Sequence, residues 1–360
     1  MENVCFFNSV KFWGGGEKLH LEYAQEFKKK YYKVFIVSNK ISKIAERAIE
    51  DSIPVFPISV SNLSFLNPFK LYKLVRYYKK NKIDTVIFST SQDVKLGSIA
   101  AKLAKVKNIV YLRGLAVPIK NSLVNRYVLK HALTHIVANS EETKKRILQN
   151  IDNCIDQSKV AVIYHGIEIP DENENQKFLS QIQEKKHGIV LGNAGRLTQQ
   201  KGQLHLIEIA KSLKEDGIDF SLFIAGTGEM ELELKELIAK NNLQNSVFLL
   251  GFVKDMEAFM NSIDIFLLSS IWEGFGYVLV EAMVKSKPII AFNISSNPEI
   301  VVDGETGYLI DNLDLKAFAQ KTKLLIENDS LRQKIGESGK KRVIDCFNIS
   351  DRITEFEKYL

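Results

Sequence analysis

Residues 188–210 read GIVLGNAGRLTQQKGQLHLIEIA, and two different periods meet inside them. From Gly188 to Gly195 the apolar residues run on without alternation, as in a strand covered on both faces. From about Gly202 they recur at helical spacing. The loop between carries two cations, Arg196 and Lys201, with a glycine at each end. A buried strand that passes through a short loop into a helix is one unit of a parallel sheet, so this stretch predicts an α/β fold.

The rhythm continues in both directions. Upstream come KVFIVS (Lys33–Ser38), TVIFS (Thr85–Ser89), NIVYL (Asn108–Leu112) and HIVAN (His135–Asn139), alternating with helical patterns such as GEKLHLEYAQEFKKK (Gly16–Lys30). Downstream come FSLFIAG (Phe220–Gly226), SVFLLG (Ser246–Gly251), DIFLLS (Asp264–Ser269) and KPIIAF (Lys287–Phe292). The expectation is two doubly wound, Rossmann-like parallel-sheet domains in tandem. Length agrees, because 360 residues exceed what one core usually organises. The polar stretch IPDENENQKFLSQIQEKKHG (Ile169–Gly188) reads as the linker.

Composition narrows the class. With 45% hydrophobic residues and a mean hydropathy of −0.08, the chain is ordinary for a soluble protein. No apolar run approaches the roughly 20 residues of a membrane span. MENVCFFNSVKF at the start lacks the basic-then-apolar layout of a signal peptide. Cys5, Cys154 and Cys346 are scattered without metal-ligand spacing, which suits a reducing compartment and predicts a cytoplasmic protein. Charge is uneven. Residues 1–170 hold 27 Lys and Arg against 14 acids, whereas residues 171–360 hold 22 against 29. A basic half beside an acidic half predicts different partners for each.

In doubly wound sheets ligands bind beyond the carboxyl ends of the strands. Four stretches fall there. WGGGEK (Trp13–Lys18) offers a close-approach turn and a helix N-terminus, or a plain strand-to-helix turn. It lacks the full G-x-G-x-x-G dinucleotide signature. Arg196 and Lys201 in GRLTQQKG suit a diphosphate cradle, or are two solvated loop charges. AGTGEM (Ala225–Met230) is an anion loop or a turn. SSIWEGFGYVLVEAM (Ser269–Met283) places Glu273 in a loop and Glu281 one turn into a helix. Ionised carboxylates accept two hydroxyl donors at once, which vicinal diols supply, and the alternative is a pair of structural glutamates.

The combination resembles the retaining glycosyltransferases of family 4, whose GT-B fold sets two Rossmann-like domains facing a cleft. The matching pieces, in family order, are GGGEK, ANSEETKKRIL (Ala138–Leu148), VIYHGIEI (Val162–Ile169), GRLTQQKG, IAGTGE, LGFV, EGFGYVLVEA and NPEIVVDGETGYLI (Asn297–Ile310). The resemblance implies an acceptor-side domain over 1–168, a nucleotide-sugar domain over 169–345, and a C-terminal helix at about 346–360 that packs back on the first. It implies that Arg196 and Lys201 hold the donor diphosphate, that Glu281 accepts from ribose hydroxyls, and that Glu273 meets the donor sugar. Gly226, and the backbone at Phe275 and Gly276, would lie beside the donor. Gly15 and Gly16 would approach the phosphate, and the base would lie near Phe252. The donor expected is a UDP-sugar rather than a GDP-sugar, with no cofactor. No D-x-D occurs in the chain, in keeping with metal independence.

Departures from the family pattern fall in the first half. Arg113 in YLRGLA stands where many relatives have histidine, FSTSQD (Phe88–Asp93) lacks another, and His165-Gly166 replaces a common Asn-Gly. Arg113 and His165 are therefore acceptor-side candidates, Arg113 for an anionic acceptor. A basic stretch, NPFKLYKLVRYYKKNK (Asn67–Lys82), mixes Phe69, Tyr72, Val75 and Tyr77 with Lys70, Lys73, Arg76 and Lys79. It is either a packed helix with solvated lysines or a surface for anionic membrane, which would make the protein peripheral on the inner face of the cell membrane. No nucleic-acid motif is present. The functional expectation is a retaining hexosyltransferase adding to lipopolysaccharide or a lipid-linked oligosaccharide. A catalytically inactive nucleotide-sugar-binding partner and a Rossmann oxidoreductase are the alternatives, the second missing its glycine fingerprint and ribose-binding acid.

Overall fold

The computed structural model describes residues 2–149, 154–170 and 177–360. The chain divides into two compact units, Met1–Gly166 with Ile349–Leu360, and Ile167–Asn348. Of the expected linker, positions 171–176 lie outside the described residues. The remainder includes a short helix, Ser180–Gln183. Among the described residues, no helix is long and apolar enough to cross a membrane.

The first unit is built on parallel strands β1 (Asn3–Asn8), β2 (Lys33–Ser38), β3 (Val55–Pro57), β4 (Thr85–Phe88), β5 (Asn108–Arg113), β6 (His135–Ala138) and β7 (Val160–Val162), in the order β3-β2-β1-β4-β5-β6-β7. Val4, Cys5, Phe6 and Phe7 are all fully buried, which is why β1 shows no alternation: helices cover both faces of its sheet. Asn67, Ser42, Thr90 and Ser140 each accept a backbone N–H as N-caps, so the helices begin where polar residues follow the strands. The expected helix at 346–360 is in fact two elements. Phe347 closes the helix Asp329–Phe347, Asn348 is extended, and the helix Ile349–Phe356 starts anew in the first unit. There Phe356 meets Tyr23 and Phe27 edge-on, at 5.9 and 6.1 Å between ring centroids. Lys30 ties the same segment through Thr354 and Glu357, each at 2.8 Å.

The second unit repeats the plan with β8 (Ile189–Ala194), β9 (Phe220–Ala225), β10 (Val247–Gly251), β11 (Ile265–Leu268), β12 (Ile289–Phe292) and β13 (Gly307–Ile310), in the order β10-β9-β8-β11-β12-β13. Its core joins Leu191, Leu206, Ile224, Leu267 and Phe292, the apolar residues of the strands and of the helix Gln203–Glu215. In both units the strand order reverses beside the first strand, between β1 and β4 and between β8 and β11. Loops diverge there at the carboxyl edge and leave a crevice.

In the first unit a buried carboxylate closes that crevice. Asp93, in the helix Ser91–Ala104 after β4, accepts from the backbone N–H of Ser9 at 3.0 Å, from its hydroxyl at 2.5 Å and from the Thr90 hydroxyl at 2.6 Å. Burial pushes its carboxyl from 3.8 up to about 6, while the bonds from Ser9 and Thr90 pull the other way. The folded state therefore binds this proton more tightly than the unfolded chain. Its contribution makes folding stability fall as pH rises from about 4 to about 6, and leaves it level above. Asp93→Asn should flatten that part of the stability–pH profile, by up to about 3 kcal/mol, in chemical denaturation at pH 4 to 7.

Candidate active site

In the second unit the equivalent crevice is crossed by an ion pair. Lys201 Nζ donates to Glu273 Oε1 at 2.6 Å, and the Ser270 hydroxyl donates to the same oxygen at 2.6 Å. The two side chains are 18% and 7% exposed, so both charges are largely withdrawn from water. Lys201 ends the short turn Gln199–Lys201 in the loop after β8, and Glu273 lies in the loop after β11. Further bonds fix the two loops to each other. Gln200 Nε2 donates to the Trp272 carbonyl at 3.1 Å, Ser269 Oγ to the Lys201 carbonyl at 3.1 Å, and the Ile271 N–H to the Gln200 carbonyl at 2.9 Å. The Glu273 N–H donates to Ser295 Oγ at 3.2 Å, which adds the loop after β12. Both donors to Glu273 use Oε1, and Oε2 takes no protein donor among the described residues.

Two glycines permit this closeness. Gly202 has φ +61°, and a Cβ there would stand 2.2 Å from the Ser269 carbonyl oxygen. Gly226, with φ +146°, passes so near Gly195 that a Cβ would meet its carbonyl oxygen at 1.8 Å. Gly226 is thus required by packing of the loops after β8 and β9, whatever else it touches. Arg196 is exposed, and among the described residues its guanidinium has no partner, although its carbonyl accepts from Gln203 Nε2 at 3.1 Å. Phe252 is exposed just beyond β10. Phe275 is the reverse: its ring is buried edge-on to Phe347 at 5.9 Å and anchors the loop. Gly276 starts the helix Tyr277–Val284, on which Glu281 sits half-buried.

The first unit holds the other candidates. Gly15 and Gly16 open the helix Gly15–Lys29, and a Cβ at either would meet nothing within 4 Å. Their own unit thus leaves room for a guest. Arg113 ends β5 and His165 follows β7, both buried. Asn139 Nδ2 lies 3.1 Å from His165 Nε2 and 3.2 Å from the Gly114 carbonyl, bracing the turn after β5. Burial lowers the His165 imidazole to about 3, so it is neutral. Among the described residues no three His, Cys, Asp or Glu side chains are grouped to hold a metal ion.

Sequence reasoning missed Ser270 and Ser295, which orient Glu273, and Ser9 and Asp93, which tie the first unit's loops. Only a polar residue next to a strand end pointed to them, a signal shared by many loop residues.

Residues 13–169 match the family described as Glycosyltransferase Family 4, and residues 174–342 match Glycosyl transferases group 1. An uncharacterized glycosyltransferase of Methanocaldococcus jannaschii is 30% identical over 91% of this chain and 86% of its own length. The chain belongs to glycosyltransferase family 4. It is also 29% identical to the capsular polysaccharide biosynthesis glycosyltransferase CapM of Staphylococcus aureus, over 89% of this chain and 87% of that one. The Escherichia coli UDP-Gal:alpha-D-GlcNAc-diphosphoundecaprenol alpha-1,3-galactosyltransferase is 27% identical over 86% and 84%. HepE of Anabaena, solved in complex with UDP-glucose, superposes with a TM-score of 0.84 at 22% identity over the whole of both chains. The architecture is the GT-B fold.

This glycosyltransferase should feel the ion pair as a stability element as well as a site. Lys201→Met strands Glu273 as a buried, uncompensated charge and should cost about 3 kcal/mol in denaturant unfolding of the second unit. Lys201→Met combined with Glu273→Gln should recover most of that loss, and additive losses would show that the pair is not coupled.

Proposed function

We propose that this family-4 glycosyltransferase is a retaining hexosyltransferase using a UDP-sugar donor and a surface-glycan acceptor, either lipopolysaccharide or a lipid-linked oligosaccharide. The observation that carries the reading is the state of Glu273. Lys201 and Ser270 hold one carboxylate oxygen and leave the other to accept sugar hydroxyls. Arg196, exposed and without a partner among the described residues, and the Lys201 ammonium then supply positive charge to the leaving diphosphate, which is electrostatic stabilisation of the transition state. Glu281 accepts from the ribose hydroxyls. Phe252 and its neighbours meet the base, while Gly226 and the backbone at Phe275 and Gly276 line the donor. Gly15 and Gly16 offer backbone N–H groups to the phosphates. Retention follows if the acceptor attacks from the face the diphosphate leaves, with a leaving phosphate oxygen taking the acceptor proton. Arg113 and His165 belong to the acceptor side. The UDP-glucose complex of HepE and the lipid-diphosphate substrate in the name of the E. coli relative support the donor and acceptor classes.

The test separates the carboxylates. Glu281→Gln should weaken UDP and a UDP-sugar alike, by about 1.5–3 kcal/mol, because the ribose is common to both. Glu273→Gln, which also leaves the Lys201 ammonium without its partner, should weaken the intact donor by more than it changes UDP affinity. Arg196→Ala removes a guanidinium with no partner among the described residues and should lower turnover by roughly 10²-fold. Calorimetry and donor hydrolysis without acceptor measure all three. Equal loss of UDP by both glutamine variants would overturn the division, and donor binding without any hydrolysis would favour an inactive binding partner.

A membrane surface on the helix Pro68–Lys80 is part of the same reading. Leu74 and Tyr78 face the core, and Tyr77 stacks on Phe56 at 4.3 Å, so these are packing residues. Lys70 is tied to the Ser59 carbonyl at 2.6 Å and to Ser64 Oγ at 3.2 Å. What faces solvent is Leu63, Leu66, Phe69 and Tyr72 together with Lys73, Arg76 and Lys79. Apolar tips among cations suit an anionic interface, at about 1 kcal/mol per cation. Charge reversal of Lys73 and Arg76 should reduce sedimentation with anionic vesicles several-fold, and so should added salt. Equal partitioning of the native protein onto neutral and anionic vesicles would remove this surface.

A further inference from the structure

We propose that Arg113 reads an oxyanion, phosphate or carboxylate, carried by a sugar substrate, at a subsite on the carboxyl edge of the first unit's sheet. Arg113 is 4% exposed. Its Nη1 donates to the Tyr111 hydroxyl at 2.7 Å and its Nη2 to the Val117 carbonyl at 2.7 Å, while its buried Nε has no partner among the described residues. Both acceptors are neutral, and among the described residues no Asp or Glu forms an ion pair with this guanidinium. Asp93, the buried carboxylate of this edge, is held by Ser9 and Thr90 instead. A buried cation withdrawn from water costs several kcal/mol and is ordinarily offset by an acid. Among the described residues the offsetting charge is missing, and an anionic guest would supply it.

The surroundings are donors of the same kind. The Tyr111 hydroxyl lies 3.4 Å from Ser91 Oγ, at the first residue of the helix Ser91–Ala104. Strands β4 and β5 pair with Phe88 opposite Tyr111, so the loop after β4 and Arg113 leave neighbouring strands at the same edge. His165 is neutral there and brings no charge of its own. A guanidinium fork matches the two oxygens of a carboxylate or phosphate, which a lysine ammonium does not. The inference rests on the glycosyl-transfer reading for its ligand, and the source that fits is a phosphate on the acceptor.

Calorimetry on the full chain and on Arg113→Gln and Arg113→Lys tests this, with UDP as the control ligand. A short isoprenyl diphosphate should bind native protein saturably in the presence of UDP, and at least tenfold more weakly to Arg113→Gln. Arg113→Lys should fall between, and it carries the test should the glutamine variant not fold. UDP affinity should be the same in all three. Isoprenyl diphosphate that does not bind native protein saturably, or that binds Arg113→Gln as tightly as native protein, overturns the subsite. Native protein that binds isoprenyl diphosphate through Arg113 but not UDP would overturn the donor reading and leave the subsite standing.

Discussion

The Lys201–Glu273 ion pair spans the place where the second sheet reverses its winding, and the neighbouring loops take their positions from it. A buried pair of charges survives only with close geometry and further hydrogen bonds, because desolvation otherwise exceeds the attraction. At 2.6 Å, with Ser270 on the same oxygen, the condition is met. Gly202 lies under the Ser269 carbonyl, Gln200 reaches Trp272, and Ser295 accepts from the Glu273 N–H, so three strand ends are drawn into one framework. The first unit uses a different device in the same position. There a single buried carboxylate, Asp93, is held by neutral donors from the loop after β1 and the cap after β4.

These two solutions distribute charge differently. In the second unit the buried charges of Lys201 and Glu273 cancel each other, and the Arg196 guanidinium is in water with no partner among the described residues. In the first unit, among the described residues, the buried carboxylate Asp93 has no cation and the buried cation Arg113 has no carboxylate. The excess of basic residues in residues 1–170 is thus more than a surface property, since one of its members is buried at the sheet edge where ligands of this fold class bind. Family membership fixes the type of chemistry.

Much of the fold was legible in the sequence. The strands KVFIVS, FSLFIAG and DIFLLS appear where unbroken apolar runs place them, because a strand buried on both faces must be apolar at every position. The candidate site was legible as residues but not as contacts. Arg196, Lys201, Glu273 and Glu281 stood out by type and spacing. That Lys201 and Glu273, 72 positions apart, touch each other could not be read, because the contact depends on β8 and β11 becoming neighbours. The same limit explains the helix after Asn348, which sequence reading began at about residue 346, and which aromatics of the stretch 67–82 pack: Tyr77 does, on Phe56.

By itself, then, the sequence determined the local periods: which runs are buried strands, which turns carry glycine, and which loops hold charge at strand ends. Those follow from interactions between near neighbours and from burial, which composition encodes directly. Only the tertiary structure decided which charges are paired. Arg196 and Arg113 look alike as arginines beside a strand, yet one is solvated and the other is buried among neutral oxygens. The difference arises because the environment of a side chain is set by residues far away in the chain, brought near by the order in which the strands assemble.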